Sequence, residues 1–314
     1  MKARSLSCLL GGLFLLSAGA AASDAGSTSG EALMRHVQVL ASDAFEGRAP
    51  ATAGEEKTID YLVEQFREAG VQPGGEDGGW TQAVPLLRAS VDGPVQASLR
   101  FDGQVRALAN GEDVTLQTLS PVERVEVRDA PLVFVGYGIT APERGWDDYK
   151  GVDLAGKVAV VLVNDPDFET EQPGAFDGRA VTYHGRWTYK YEELARRGAL
   201  GALIVHETAP AAYGWDTVRS SGLSPLFDIP REDAACHHTL LRGWMHRDLA
   251  VSLFAQAGLD FEREKARAQT AAFAPVALGD ATLSVAFDVV RDEVVTHNVI
   301  GRLDGASRPG ESVI

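Results

Sequence analysis

The feature that most constrains the fold of this chain is a run at residues 157–163 (KVAVVLV) with no polar side chain after its first lysine. Side chains alternate between the two faces of a strand, so this run predicts a strand that is covered on both faces. A helix predicted over about residues 187–197 follows it, and then a second buried strand over residues 202–205. The order strand, helix, strand predicts a parallel pair with a right-handed crossover, and hence an α/β fold.

The N-terminal residues 1–22 have the pattern of a secretory signal. Lys2 and Arg4 form a basic start, and a short apolar stretch occupies residues 9–16. Small residues suited to cleavage follow at Ala18, Ala20 and Ala22. The alternative is a membrane anchor, which needs about 20 apolar residues. Because the run is shorter, we predict export to the periplasm or the extracellular space, with no membrane span after cleavage.

Charge and cysteine content exclude two classes of protein. The chain has 29 basic and 44 acidic residues and a formal net charge of −15. Binding to nucleic acid needs clustered lysine and arginine, so no nucleic-acid partner is expected. The only cysteines are Cys8 and Cys236, and cleavage of the signal would remove the first. The exported chain is therefore not a disulfide scaffold, and Cys236 is predicted to be a small buried residue.

Two capping-box patterns mark helices near the N-terminus. Thr28 lies three residues before Glu31, and Thr52 lies three residues before Glu55. Each pattern precedes apolar residues that recur with a helical period. We therefore predict two helices, the first beginning at Thr28 and the second at Thr52.

Strands are predicted at both ends of the remaining sequence. Residues 95–101 and 131–136 favour strands before the apolar run. Toward the C-terminus, residues 282–289 alternate as in a half-buried strand, and residues 294–303 predict a second strand. Residues 312–314 would begin a third, which is too short for a typical strand. We therefore expect the sheet to continue in sequence after Ile314.

The histidine motifs do not make a convincing metal or catalytic site. His237 and His238 are adjacent, so on a helix they would point in different directions, and solvated surface histidines are the favoured interpretation. His246 and Asp248 have the spacing of a His-x-Asp metal motif and also spell the His-Arg-Asp of kinases, without the other kinase motifs. Asp248 precedes an amphipathic segment, so an N-cap is the favoured role.

The remaining polar candidates also have simpler interpretations. His184 is predicted to be a loop or helix-end residue. Asp165, Asp167 and Glu169 could hold a cation, but a solvated acidic loop is the favoured interpretation. There is no Gly-x-Ser-x-Gly and no P-loop motif. The residues by themselves thus predict no catalytic, cofactor-binding or metal-binding residue.

A motif at residues 40–54 (LASDAFEGRAPATAG) nevertheless resembles the opening of secreted, two-metal zinc aminopeptidases. Relatives of that family include glutamate carboxypeptidase II and the non-catalytic transferrin receptor. The family pattern resembles Leu-x-Ser-Asp-x-x-x-Gly-Arg-x-x-Gly-Thr-x-Gly. The chain departs from it at Ala51, where a glycine is usual. Its matching residues are Leu40, Ser42, Asp43, Gly47, Arg48, Thr52 and Gly54.

The middle of the chain is similar to the protease-associated (PA) domain inserted in many of these enzymes. The supporting segments are residues 135–139, 146–149, 156–158, 183–191 and 198–202. The motif at residues 297–301 (HNVIG) then resembles the first core strand of the peptidase domain. The resemblance covers essentially all of the chain after the signal.

The resemblance implies a β-rich PA-type α/β domain inserted into the first part of a zinc-exopeptidase α/β sandwich. Residues 23–94 would be the N-terminal helical part of the peptidase domain, residues 95–280 the PA domain, and residues 281–314 the first strands of a truncated catalytic domain. Under this division we expect protease to trim residues 282–314 and the N-terminal helices before it cuts the central part.

The resemblance also implies the function of the longer protein, a hydrolase that releases N-terminal residues from peptide substrates. Two zinc ions would activate a bridging water, and a glutamate would take its proton. The family's ligands follow the core strand, so none can be assigned here, and His246 and Asp248 precede that strand. We expect this chain alone to hold no zinc and to be inactive. The alternative is a non-catalytic PA-type binding module or receptor-like homologue.

Overall fold

A computed structural model describes residues 29–170, 174–232, 237–308 and Glu311 of the chain. The described residues form two compact units. One contains the residues up to Trp80 together with those from Gly301 onward, and the other contains Thr81–Ile300. None of the helices in the described ranges combines the length and apolar character needed to cross a membrane.

Side-chain caps begin several of the helices. Thr52 accepts a hydrogen bond from the Glu55 backbone N–H, as its capping box predicts. The first helix is capped by Ser29, not by Thr28, which lies outside the described residues. The helices are α1 Gly30–Leu40, α2 Ala53–Glu68, α3 Trp187–Arg196, α4 Thr208–Ala211, α5 Trp215–Gly222, α6 Arg247–Gln256 and α7 Phe261–Ala268.

Two of the strands are much longer than a typical strand of five or six residues. The strands are β1 Gln72–Pro73, β2 Thr81–Phe101, β3 Gln104–Ala107, β4 Val114–Gln117, β5 Arg124–Phe134, β6 Thr140–Ala141, β7 Trp146–Asp147, β8 Val158–Leu162, β9 Gly201–His206, β10 Leu226–Asp228, β11 Leu241–His246, β12 Val276–Val299 and β13 Gly301–Arg302.

The first unit contains α1, α2 and the short antiparallel pair of β1 and β13. Tyr61 of α2 connects the helical part, since its hydroxyl lies 2.6 Å from His36 Nδ1 of α1 and its ring meets the edge of Phe45. Gly301 of β13 lies so close to α2 and the turn after it that an added Cβ would be 3.0 Å from Phe66 and 2.6 Å from Val71. Glycine in the HNVIG motif thus allows close approach of the backbone.

The second unit is organised by a nine-stranded mixed sheet. Its order is β10-β2-β12-β5-β8-β9-β11-β4, with β3 paired beside β2. The pairs β5–β8, β8–β9 and β9–β11 are parallel, and the other pairs are antiparallel. The predicted parallel arrangement of β8 and β9, with α3 between them in sequence, is confirmed.

The sheet has an apolar core on each face, because β8 and β9 bury alternate side chains in opposite directions. Val160 and Leu203 belong to the core that includes α6 and α7, while Val161 and Ile204 belong to the core that includes Leu194 of α3. All residues of β8 and β9 are buried. The α/β fold predicted from the continuous apolar run is therefore the fold of this unit.

The C-terminal strands differ from the prediction. Residues 282–289 and 294–299 belong to one strand, β12, and not to two. Arg88 of β2 forms a two-pronged ion pair with Asp292, so the polar stretch between the two predicted strands continues the ladder. The other predicted strands begin earlier, at Thr81 and at Arg124.

The expectation that residues 282–314 form a readily trimmed edge is wrong for the first part of that segment. Leu283, Val285 and Phe287 are buried, and β12 lies between β2 and β5. The predicted signal at residues 1–22, Cys236 and the strand at residues 312–314 lie outside the described residues. The boundaries predicted at residues 95 and 281 fall within β2 and β12, and the division into domains stays a prediction.

Candidate functional site

His246 caps a helix instead of contributing to a metal site. Its Nδ1 accepts a hydrogen bond from the Asp248 backbone N–H at 3.2 Å, at the start of α6. The N-cap is therefore His246, and the prediction that Asp248 fills this role is wrong because the N-cap lies two residues earlier. The ring of His246 packs edge-on against Trp215, with centroids 5.1 Å apart.

Two of the three acidic residues after β8, Asp165 and Asp167, are buried, contrary to the prediction of a solvated loop, whereas Glu169 is exposed. Asp165 is fully buried and accepts hydrogen bonds from the backbone N–H and hydroxyl of Thr182 at 2.7 and 2.9 Å. Asp167 accepts from three backbone N–H groups of the following loop. Glu169 lies 2.6 Å from the ammonium of Lys265. Asp165 and Asp167 organise a long loop, because they satisfy backbone donors that would otherwise be buried without partners.

Lys190 of α3 is a buried charge that sequence reasoning missed. Its ammonium donates to the backbone carbonyls of Tyr137 at 2.6 Å and of Asn164 at 3.0 Å. Burial lowers the pKa of Lys190 to about 8, against the opposing influence of Asp165 and Asp148. Burial likewise raises the pKa of Asp148, to about 7. The Lys190 ammonium connects α3 to the backbone that follows β5 and β8, which is a structural role.

His184 lies in the loop before α3, as predicted. Its Nε2 is 3.3 Å from a carboxylate oxygen of Glu143, and its ring packs edge-on against Phe176 and Tyr189. Its Nδ1 is buried without a hydrogen-bond partner. These contacts are those of a residue that packs the start of α3.

The chemically richest pocket of the second unit lies between α3, β10 and β11, with a volume of about 350 Å³. Trp187 and Tyr191 lie one helical turn apart on α3, so they share a face of that helix. Strand β10 contributes Asp228, and β11 contributes Arg242. The remaining lining residues are Leu119, Thr188, Glu192, Arg196, Leu226, Phe227, Arg231, His237 and His238.

His237 and His238 both line this pocket, which corrects the prediction that they are solvated surface residues. The side chain of His238 is 14% exposed, and its Nε2 lies 2.8 Å from Asp228. Burial lowers the pKa of His238, while Asp228 acts in the opposite direction. The sequence gives no signal for the contact between His238 and Asp228, because Asp228 lies on a strand ten residues earlier.

Arg242 brings a positive charge to the same pocket. The carbon of its guanidinium lies 4.1 Å from the ring centroid of Tyr191 and 5.7 Å from that of Trp187. Burial lowers the pKa of Arg242. Among the described residues, no carboxylate forms an ion pair with this guanidinium. The arrangement is suited to holding an anion between aromatic side chains.

The residues present do not fit the two zinc ions that the family resemblance implies. Across the described ranges, no three His, Cys, Asp or Glu side chains come together to hold a metal. The pairs His238–Asp228 and His246–Asp248 offer two donors each, whereas zinc sites use three or four protein ligands. No catalytic step through zinc can therefore be derived from these residues.

The sequence matches no protein-family profile and no curated protein. Among solved structures, the chain is similar to an aminopeptidase from Aneurinibacillus sp. strain AM-1, with 17% sequence identity and a TM-score of 0.40. The similarity covers 90% of this chain and 50% of the aminopeptidase chain. The likeness is coarse and concerns the fold, and the chain spans half the length of that aminopeptidase.

Proposed function

We propose that this chain is the N-terminal portion of an exported zinc aminopeptidase. In this proposal residues 1–22 direct export, residues 23–94 belong to the peptidase domain, residues 95–280 form the PA-type domain, and residues 281–314 begin the catalytic sheet. The observation that carries the proposal is the loop at residues 42–54, whose sequence resembles the family motif and whose geometry favours glycine at two of the motif's positions.

This loop requires glycine at two motif positions. Gly47 has a φ of 78°, in the left-handed region that favours glycine. Gly54 begins α2 so close to Phe45 that an added Cβ would lie 2.3 Å from its carbonyl oxygen. Lys57 fixes the loop from α2, since its ammonium donates to the Ala44 carbonyl at 2.8 Å. These two glycine positions support the motif as more than a chance match.

The catalytic chemistry belongs to the longer protein in this proposal. When bound, two zinc ions supply an activated water for hydrolysis of the N-terminal peptide bond. The ligands and the glutamate base would lie in sequence after the HNVIG motif. What the present chain contributes is the N-terminal part of the fold and the pocket lined by Arg242.

The experiment compares this chain with the product of a reading frame that continues past Ile314. We expect the longer protein to release nitroaniline from leucine p-nitroanilide, to lose this activity with a chelator and to regain it with zinc. The present chain, purified in the same way, should show no chelator-sensitive release. Chelator-sensitive turnover by this chain alone, or a continuing frame without a His-x-Asp motif, would contradict the proposal.

A second candidate function is a non-catalytic binding module or a receptor-like homologue. The pocket favours it, because a half-buried guanidinium over an aromatic ring is typical of recognition, and the described residues that line the pocket include no serine or cysteine. The same experiment distinguishes the two functions. A longer protein that binds ligand in this pocket but hydrolyses no aminoacyl substrate would favour the binding module.

A further inference from the structure

We propose that the pocket between α3, β10 and β11 binds a small organic carboxylate that carries an apolar group, with Arg242 as the anchor of the carboxylate. This site goes beyond the peptidase function proposed above, because it requires neither a metal nor a catalytic residue. It is complete within Thr81–Ile300, so it can be tested on the chain as it stands.

Of the three arginines that line the pocket, Arg242 is the one for which no carboxylate of the described chain lies within ion-pair distance, although Asp228 and Glu192 act on it from farther away. Asp228 lies 2.8 Å from His238 and 3.8 Å from Arg231, so its charge is already engaged. Glu192 accepts a hydrogen bond from the Tyr183 hydroxyl at 3.1 Å and lies 3.9 Å from Arg196. The pocket is thus lined by two carboxylates and three arginines. Its excess of arginine contrasts with the whole chain, whose net charge is −15.

Arg196 and Arg242 differ in how their charges are satisfied. Arg196 also lies 2.9 Å from Glu193, so it has two carboxylate neighbours. Arg242 is held over the ring of Tyr191, and no carboxylate of the described chain pairs with it. A charge withdrawn from water is costly unless it is paired, and a cation–π contact compensates only part of that cost. An anion in the pocket would therefore gain more from Arg242 than from an exposed arginine.

The shape of the donor selects the chemistry of the ligand. A guanidinium is planar and presents a fork of N–H donors that matches a carboxylate in a two-pronged arrangement. Beside this fork, the pocket presents apolar surface from Leu119, Leu226, Phe227 and Trp187. A volume of about 350 Å³ lies at the small end of ligand pockets. The C-terminal residue of a peptide and a free aromatic acid share the required chemistry.

The test uses isothermal titration calorimetry with N-acetyl-L-phenylalanine and, as a matched ligand, its C-terminal amide. We expect the acid to bind about tenfold or more tightly than the amide, because only the acid forms a charge-assisted pair with the guanidinium. Titration with 3-phenylpropionate distinguishes the two possible ligands, a peptide C-terminus and a free aromatic acid. Weaker binding of this acid points to a peptide C-terminus, and equal or tighter binding points to a free aromatic acid.

Three variants separate anchoring from general damage. Arg242→Gln should lower the affinity for the acid by about tenfold to a hundredfold. Arg263→Gln, which makes the same change of charge at an exposed position of α7, should leave the affinity unchanged. Asp228→Asn should raise the affinity for the acid, because it removes a negative charge from the pocket wall. A variant that merely disturbed the fold would weaken binding instead.

The proposal is overturned if the acid and its amide bind equally, or if neither binds. It is also overturned if Arg242→Gln retains full affinity for the acid. Thermal unfolding of each variant verifies that it is folded. If Arg242→Gln does not fold, Asp228→Asn still tests the proposal, because its affinity for the acid is expected to rise. Unchanged or weaker binding of the acid by Asp228→Asn would contradict an electrostatic anchor.

Discussion

At the scale of single residues, Ala51 has a backbone φ of 57° in the loop before α2. A left-handed conformation costs an L-residue roughly 1–2 kcal/mol, and glycine avoids this cost. Glycine also loses more entropy on folding, which offsets part of the gain. We therefore predict that Ala51→Gly raises the free energy of unfolding by about 0.5–1 kcal/mol.

Urea unfolding of the two proteins measures this difference. Ala49→Gly, two residues earlier in the loop, is the matched control, because Ala49 is exposed and is not among the residues with positive φ. The control should give no gain or a small loss in stability. Equal gains in both variants would show that the effect is not due to the left-handed conformation of Ala51.

Lys190 gives a second prediction at this scale. Lys190→Met removes the ammonium that bonds the carbonyls of Tyr137 and Asn164 and that faces Asp165. Removing one partner from a set of interacting buried charges costs about 3–5 kcal/mol, because here the two carbonyls lose a donor and Asp165 loses its opposing charge. Chemical denaturation should show a loss of this size.

The matched control is Lys157→Met, at a half-buried position where the ammonium bonds the Asp153 carbonyl at 2.8 Å. Water can replace that bond, so the control should lose about 1 kcal/mol or less. If Lys190→Met is as stable as the control, the charge at position 190 is not an essential part of the core.

Asp148 gives a dependence of stability on pH. Its carboxylate accepts hydrogen bonds from the Ile139 N–H and the Trp146 indole, yet burial raises its pKa from 3.8 to about 7. Between these values the folded chain keeps a proton that the unfolded chain loses. The contribution of Asp148 to the free energy of unfolding is therefore largest below about pH 4 and declines as the pH rises to about 7.

Comparison with Asp148→Asn isolates this contribution, because the variant cannot titrate at this position. Urea unfolding across the interval should show that the wild-type chain loses stability relative to the variant as the pH rises. A difference between the two proteins that stays constant over the interval would contradict the shifted pKa of Asp148.

These residues also show what a sequence can and cannot predict at this scale. Thr52 was identified as an N-cap because the signal lies within three residues. Asp165 and Lys190 were not identified as buried, since their burial depends on Thr182 and Asn164, which reach them only in the folded chain. Local rules capture caps, whereas charges that are satisfied by distant backbone leave no periodic pattern.

At the scale of elements, Gly243 explains how β11 can lie against β4. A Cβ added at Gly243 would lie 2.0 Å from the carbonyl oxygen of Thr115, which is backbone and cannot rotate away. We predict that Gly243→Ala separates these strands and lowers the free energy of unfolding by about 1–3 kcal/mol or more. Thermal or chemical unfolding measures the change.

The control for this prediction is Gly214→Ala, at the N-cap of α5. An added Cβ there meets nothing within 4 Å, and the φ of −80° suits any residue. This variant should change the free energy of unfolding by less than about 1 kcal/mol, as expected for loss of a glycine cap. Similar losses in the two variants would indicate that the contact with Thr115 is not the cause.

A strand or helix could be predicted from the sequence where its pattern of apolar residues was unbroken. The buried strands β8 and β9 have unbroken apolar sequences, and both were predicted within one or two residues. The error at β12 arose where Arg291, Asp292 and Glu293 interrupt the alternation. In the structure Asp292 pairs with Arg88 of the neighbouring strand, so a polar stretch that looks like a turn is part of a ladder.

At the scale of the whole molecule, the pocket illustrates a limit of reading motifs one at a time. Its lining comes from α3, β10 and β11, over residues 187–242, and from Leu119 in a separate part of the chain. No spacing rule connects Trp187 with Asp228 or Arg242. Strands β10 and β11 lie far apart in the strand order of the sheet, so neither the order nor any spacing in the sequence predicts that they line one pocket.

The pairing of strands across the whole sheet also determines which fragment of the chain can fold. Strand β12 pairs with β2 along most of its length and with β5 on its other side. A fragment of residues 95–280 would lose the greater part of β12, including Leu283, Val285 and Phe287, which are buried in the larger core. The edge of β5 would then expose apolar surface and unpaired backbone, which favours aggregation.

We therefore predict that a fragment of residues 81–300 is soluble and unfolds in one cooperative transition, whereas residues 95–280 give an aggregated or poorly folded product. Both fragments contain the pocket, so ligand binding adds a second measurement: only the longer fragment should retain the affinity of the intact chain for N-acetyl-L-phenylalanine. Size-exclusion chromatography and thermal unfolding compare the two. If the shorter fragment is equally soluble and cooperative, the flanking strands are dispensable, and residues 95–280 can fold as a domain without the pairing between β2 and β12.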